Sequence, residues 1–186
     1  MQCRVLVVPG LRGSGPRHWQ TLWIAGNAAY RRVLPAGLEV PRAEVWAAAI
    51  DRALAAEPSR PLLVAHGFGC LAALVRLAQR RDDVAGVLLV APRDPDEFGL
   101  ERALPQALGM PSTLVASRND PWLAFAAARG LAARLGSDFV DAGDAGHIDA
   151  ESGYGAWPAG LRLVASLAAR ARAAERELRV ALALVE

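Results

Sequence analysis

Apolar runs of strand length recur along this sequence at Val5–Val8, Leu62–His66, Val84–Ala91, Thr113–Ser117 and, more weakly, Phe139–Ala142. Stretches with helical spacing of apolar residues separate and follow them: Trp19–Ala29, Arg42–Ala56, Phe68–Arg80, Trp122–Leu135, and a long one from Pro158 towards the C-terminus. The strand runs are continuously apolar rather than alternating, so both of their faces must be covered. Doubly covered strands separated by helices predict an α/β fold, a doubly wound, mostly parallel sheet of five or six strands with helices on both faces. A length of 186 residues suits one such unit, so residues 1–186 are read as a single domain with a C-terminal helical extension from about residue 168.

Composition narrows the function classes. Hydrophobic residues make up 53% and charged residues 22%, and the mean hydropathy is +0.20, which excludes disorder. The 21 basic residues are all Arg and face 19 acidic ones, a net charge of +2, too small an excess to imply a nucleic-acid partner. Cys3 and Cys70 show no CxxC pattern and read as buried thiols of a reducing compartment. No apolar run approaches the roughly 18 residues needed to cross a bilayer, and Val5–Val8 is too brief for a signal peptide. The expectation is a cytoplasmic protein that does not engage membranes. The absence of Lys and the abundance of Ala point to a bacterial genome rich in G and C.

Doubly wound sheets bind ligands beyond the carboxyl ends of their strands. After the first strand comes the Gly-rich run Pro9–Pro16. It has no Walker Lys, and its G-x-x-G-x-G spacing is not the dinucleotide fingerprint, so no nucleotide and no cofactor are expected. After His66 the chain reads Gly67-Phe68-Gly69 and enters a helix. A sharp strand-to-helix turn flanked by small residues is the frame of a nucleophile elbow. An acid after a later strand and a His after the last one complete the order nucleophile, acid, base, and Asp120 and His147 hold those places. The nucleophile position itself is Gly67, where Ser is absent.

Several segments then carry a specific resemblance. They are Val7-Val8-Pro9-Gly10 with Gly13 to Gln20 and Leu22-Trp23, Val64-Ala65-His66 with Gly69 to Ala72, Val115 to Pro121, and Gly146-His147-Ile148 with Ala150 to Gly153. Together they resemble the small serine hydrolases related to retinoblastoma-binding protein 9, over nearly the whole chain from Val5 to about Leu167. The resemblance implies an α/β-hydrolase fold, small carboxylic esters or amides as substrates, Asp120 as acid and His147 as base. In that family the elbow reads His-Ser-x-Gly, so no nucleophile carries over. The backbone N–H groups of Leu11 and Phe68 are the expected oxyanion hole. A second departure is Leu34-Pro35-Ala36-Gly37-Leu38, where the family has an acidic-Gln pair and a Trp near the site mouth. Loss of the Ser together with a rewritten rim reads as a retired active site, a pseudoenzyme.

Plainer readings stand beside these. Gly67 also suits a strained turn for its backbone alone, and His147 also suits an ordinary loop. His66 reads as a core-edge ring that satisfies a carbonyl, and His18 and His66 are pocket candidates. Ser14 reads as a turn residue bonding its own loop, while its hydroxyl is a candidate alternative nucleophile that could approach His147. Ser117 and Ser152 read as turn or cap residues, and Cys70 as a structural thiol in the sheet–helix packing. Three dispersed His give no ligand spacing, so no metal is expected. Three functions follow: a family member with a vestigial Asp120–His147 pair and weak or no activity, an active hydrolase using His147-activated water or another nucleophile such as Ser14, and a non-enzymatic interaction protein. The C-terminal run reads as a solvated helix with Glu–Arg pairs, ending in the apolar Val180–Val185. That end either packs back or meets a partner subunit, and a homodimer through this helix is the preferred reading.

Overall fold

The computed structural model describes residues 3–183. Six strands form one sheet: β1 (Val5–Val8), β2 (Tyr30–Arg32), β3 (Leu62–His66), β4 (Gly86–Val90), β5 (Ser112–Ala116) and β6 (Asp138–Asp141). Their spatial order is β2-β1-β3-β4-β5-β6, and every neighbouring pair is parallel. The helices are α1 (Trp19–Gly26), α2 (Ala43–Ala55), α3 (Phe68–Gln79), α4 (Phe125–Leu135) and α5 (Pro158–Ala183), with short 3-10 turns at Asp96–Phe98 and Glu101–Ala103.

The pleat sorts the strand side chains into two cores. Leu6, Val8, Leu63, Ala65, Val87, Leu89 and Leu114 pack under α2, α3 and α4, whereas Val5, Val7, Leu62, Val64, Leu88, Val90 and Val115 face α1 and α5. Helix α3 is buried from Phe68 to Leu77, which is why it is apolar nearly all round. Its one cation there, Arg76, is neutralised by Asp51 and Asp83. A Leu74→Ala cavity in this layer would cost about 2–5 kcal/mol. Gly69 lets α3 approach β1, since a Cβ there would strike the Pro9 carbonyl.

Chain direction across the sheet reverses between β1 and β3. The first leads outward to β2, and the chain then returns to lay β3 on the other side of β1. This switch point sets the loop after β1 beside the turn after β3, where a ligand crevice is expected.

The structure revises several boundaries. Strand β2 was not anticipated: Tyr-Arg-Arg is short, half-buried and at the sheet edge. Helix α4 begins at Phe125 rather than Trp122, because Ala124 is extended and the Asp120 carboxylate accepts the Trp122 N–H at 2.9 Å in a turn that Pro121 favours. Cys3 precedes β1 and is only half-buried, whereas Cys70 is fully buried. Helix α5 buries residues as far as Ala171, and Leu178, Val180 and Leu182 stand exposed at 55%, 61% and 60%. Glu175 pairs with Arg60 outside the helix, at 3.9 Å, not with an Arg on its own helix as the sequence suggested. Leu184 and Val185 lie outside the described residues. Among the described residues no helix is long and apolar enough to cross a membrane.

Candidate active site

The turn after β3 has elbow geometry. Gly67 has φ 56° and ψ −126°, a region essentially closed to residues with a Cβ unless the surroundings enforce it. Its backbone is fastened: the N–H donates to Val90 O at 3.1 Å, and the carbonyl accepts from Cys70 at 3.1 Å and from Arg93 at 3.4 Å. Phe68 begins α3, so its N–H is one of the first-turn donors without an intrahelical acceptor. Leu11 lies in the neighbouring loop, whose next residue, Arg12, has φ 63° and donates to Leu38 O at 2.9 Å. Among the described residues no carbonyl accepts the N–H of Leu11 or Phe68.

Asp120 follows β5 and His147 follows β6. His147 Nδ1 lies 3.1 and 3.0 Å from the two Asp120 oxygens, and the side chains are 13% and 2% exposed. Because the carboxylate accepts, Nδ1 carries the proton and Nε2 turns towards residue 67. An ideal Cβ on Gly67 would sit 3.3 Å from that Nε2 and 3.6 Å from Gly10 Cα. A Cβ there would make one tight contact, with the imidazole, and one ordinary one, with Gly10.

Neighbouring hydroxyl and amide groups fix the pair. Ser117 is 1% exposed; its Oγ lies 2.8 Å from Asn119 Oδ1 and 3.2 Å from Gly143 O, and it accepts the Ala145 N–H at 2.9 Å. Asn119 Oδ1 in turn accepts the Gly146 N–H at 2.7 Å, joining the loops that bear acid and base. Ser152 Oγ accepts the His147 N–H at 3.1 Å and donates to Asp149 at 2.8 Å. Ile148, buried and β-branched, takes φ 50°, and its carbonyl accepts the Trp19 indole N–H at 2.8 Å. Ser152 is the local turn residue its sequence suggests, whereas Ser117 has partners 26 and 28 residues away that the sequence does not reveal.

The three His of the chain converge. The His66 ring lies 4.7 Å from that of His147 and 4.9 Å from that of His18. His66 Nε2 donates to the His147 carbonyl at 2.9 Å, and burial holds its pKa well below the ordinary value, so it is neutral. His18 caps α1 by accepting the Gln20 N–H at 3.2 Å, and burial lowers its pKa to about 4. Burial pushes the Cys70 thiol up, so it is no nucleophile. Ser14 is not brought to His147: its hydroxyl donates to the Gln20 side-chain oxygen, rather than to its own loop backbone.

A cavity of about 530 Å³ opens over these groups, lined by Leu11, His18, Gly67, Phe68, Trp122 and His147 among others. Leu34–Leu38 does not line it. Leu34 is 73% exposed, and the segment reaches the site only through Leu38 and the loop after β1. Among the described residues no cluster of His, Cys, Asp and Glu suits a metal ion.

A parallel six-stranded sheet of this order, with a strand-to-helix elbow after β3 and the Asp120–His147 pair beyond β5 and β6, has the α/β-hydrolase fold. Residues 5–166 match the family described as Serine hydrolase, and the chain belongs to that family. It is similar to the structure of a YdeN-like hydrolase from Pectobacterium atrosepticum, at 36% identity and TM-score 0.86, over 89% of this chain and 90% of that one. The ydeN gene product of B. subtilis shares the fold at 20% identity and TM-score 0.74, over 90% and 100%. The esterase domain of a Rhodothermus marinus protein does so at 18% and 0.65, over 83% and 82%. No curated protein sequence matches the chain.

Proposed function

We propose that this chain is a serine hydrolase family member of the kind related to retinoblastoma-binding protein 9, retaining the acid–base pair and oxyanion donors for small carboxylic esters or amides but lacking a nucleophile. The observation that carries the reading is at residue 67. An ideal Cβ there falls 3.3 Å from His147 Nε2, in a backbone that conforms to the elbow, and the residue has no side chain. A Ser at this position would bring its Oγ to Nε2 and to a carbonyl held by the Leu11 and Phe68 N–H groups. His147 would take the proton while Asp120 held the imidazolium.

With Gly, water must replace the Oγ and must itself be ordered. Loss of a triad Ser costs about 10⁶ in rate, about 8 kcal/mol of barrier, with about 10³–10⁴ over water left to the oxyanion hole and binding. The expected activity is therefore weak or nil. The Ser14–Gln20 bond weighs against Ser14 as a substitute. The reading includes one domain over residues 1–186, with α5 beyond about residue 168 as an extension that can meet a second copy. No nucleic-acid partner is included.

The test is a paired assay of the protein and its Gly67→Ser variant on short-chain aryl esters. Turnover is expected to rise by at least about 10² in the variant. A folded variant that hydrolyses nothing overturns the reading. A phosphonate probe is expected to label the variant and leave the parent unlabelled, and stoichiometric labelling of the parent at Ser14 would move the reading to a relocated nucleophile.

A further inference from the structure

Among the cavity-lining residues is one that neither the acid–base pair nor the oxyanion donors use, Arg93. It follows β4, and its N–H is bonded to the Gly67 carbonyl at 3.4 Å, so its backbone is registered to the elbow. The side chain is 12% exposed. Its guanidinium carbon lies 4.0 Å from the Trp122 ring centroid and 5.4 Å from that of Phe98. Two aromatic faces and one carboxylate thus hold it in place. Both Glu97 contacts, at 2.6 and 2.7 Å, go to the single nitrogen Nη2. Nε is buried without an acceptor, and among the described residues nothing accepts from Nη1.

A purely structural Arg would spend its planar fork on its partner. Here it is spent at one nitrogen only, and the remaining donors belong to a cation beside the cavity. The other charged lining groups are Arg12, Arg17, Asp149 and Glu151; Arg12 is 85% exposed on its side chain. Asp149 is occupied by the Ser152 N–H and hydroxyl, each at 2.8 Å.

We propose that Arg93 selects ligands bearing a carboxylate in addition to the ester or amide carbonyl: half-esters or half-amides of short dicarboxylic acids. Nη1 donates to the remote carboxylate while the Leu11 and Phe68 N–H groups receive the carbonyl oxygen. The inference rests on the reading above and adds its substrate class. It needs no turnover, so binding to the unaltered protein tests it.

The experiment is calorimetric titration at pH 7 with monomethyl glutarate and with the neutral dimethyl glutarate. The half-ester is expected to bind at least about tenfold tighter. Arg93→Gln is expected to bring the two within about twofold. Glu97→Gln keeps the guanidinium and removes its competitor, and is expected to preserve or enlarge the preference; it stands in should Arg93→Gln not fold. Equal binding of the two esters, a preference that survives Arg93→Gln, or one that Glu97→Gln erases would overturn the role of Arg93. Those results leave the reading above intact, since that reading falls on an inert Gly67→Ser or on labelling of the parent at Ser14. Binding of neither ester overturns the inference as well.

Discussion

The loops after β5 and β6 and the turn after β3 face each other across the same cavity but are built from different interactions. Around Asp120 and His147 side chains do much of the fixing: Ser117 and Asn119 join the two loops, Ser152 braces the His147 loop from within, and Asp120 also accepts the Trp122 N–H. Around Gly67 the fixing groups are backbone bonds to Val90, Cys70 and Arg93. None of the bonds that orient the imidazole runs to residue 67. Under the proposed function, the acid–base pair therefore stands whole opposite a residue 67 that has no hydroxyl. Elbow geometry likewise needs no nucleophile to define it.

The largest effect that would sharpen this comparison is in the Gly67→Ser background. The gain of at least about 10² in ester turnover is expected to vanish when His147→Ala is added, and a gain that persists would break the link between the two halves. Acid is expected to act next. Burial lowers His18 from its ordinary 6.5 to about 4, so the unfolded chain takes up this proton first as pH falls. The stability from the neutral ring is whole above about pH 6.5 and is lost between there and about pH 4, on the order of 2–3 kcal/mol. His66 acts in the same direction. Urea midpoints across that range check it, and His18→Asn, which keeps a capping acceptor, should flatten part of the slope.

Ser117→Ala removes the acceptor of the Ala145 N–H and should cost about 1–3 kcal/mol in chemical denaturation. In the Gly67→Ser background it should also lower turnover by loosening the His147 loop, and unchanged turnover would show that the joined loops are not what aims the base. Gly67→Ala places a Cβ in the left-handed region, 3.3 Å from Nε2, and should cost about 1–2 kcal/mol with no gain in activity. It separates strain from chemistry. Removal of the chain from Glu177 onward should shift stability by less than about 0.5 kcal/mol, while light scattering shows whether a second copy was held there.

The interior strands were legible because continuous apolar runs leave a chain few alternatives. Strand β2 was not, since Tyr30–Arg32 carries no apolar signal and exists by pairing with β1. At the site, the residues just past each strand named Gly67, Asp120 and His147, because topology alone brings those ends together. Ser117 was illegible in its role: its contacts span 26 and 28 residues, and a Ser after a strand looks the same whether it caps a turn or joins two loops. Arg93 also lies just past a strand, and that position was the signal available for it. What hid it was the bland sequence Ala91-Pro92-Arg93.

The Trp19 indole bond to the Ile148 carbonyl crosses 129 residues, and this governs when the site comes into being. Contacts so distant along the chain are closed late, after the parallel strands between them have found their neighbours. As the chain leaves the ribosome, β1 to β5 can assemble while the loop that bears the base is still being made. The cavity draws its lining from Gly10 to Glu151, so what it binds is bound only by a nearly finished chain.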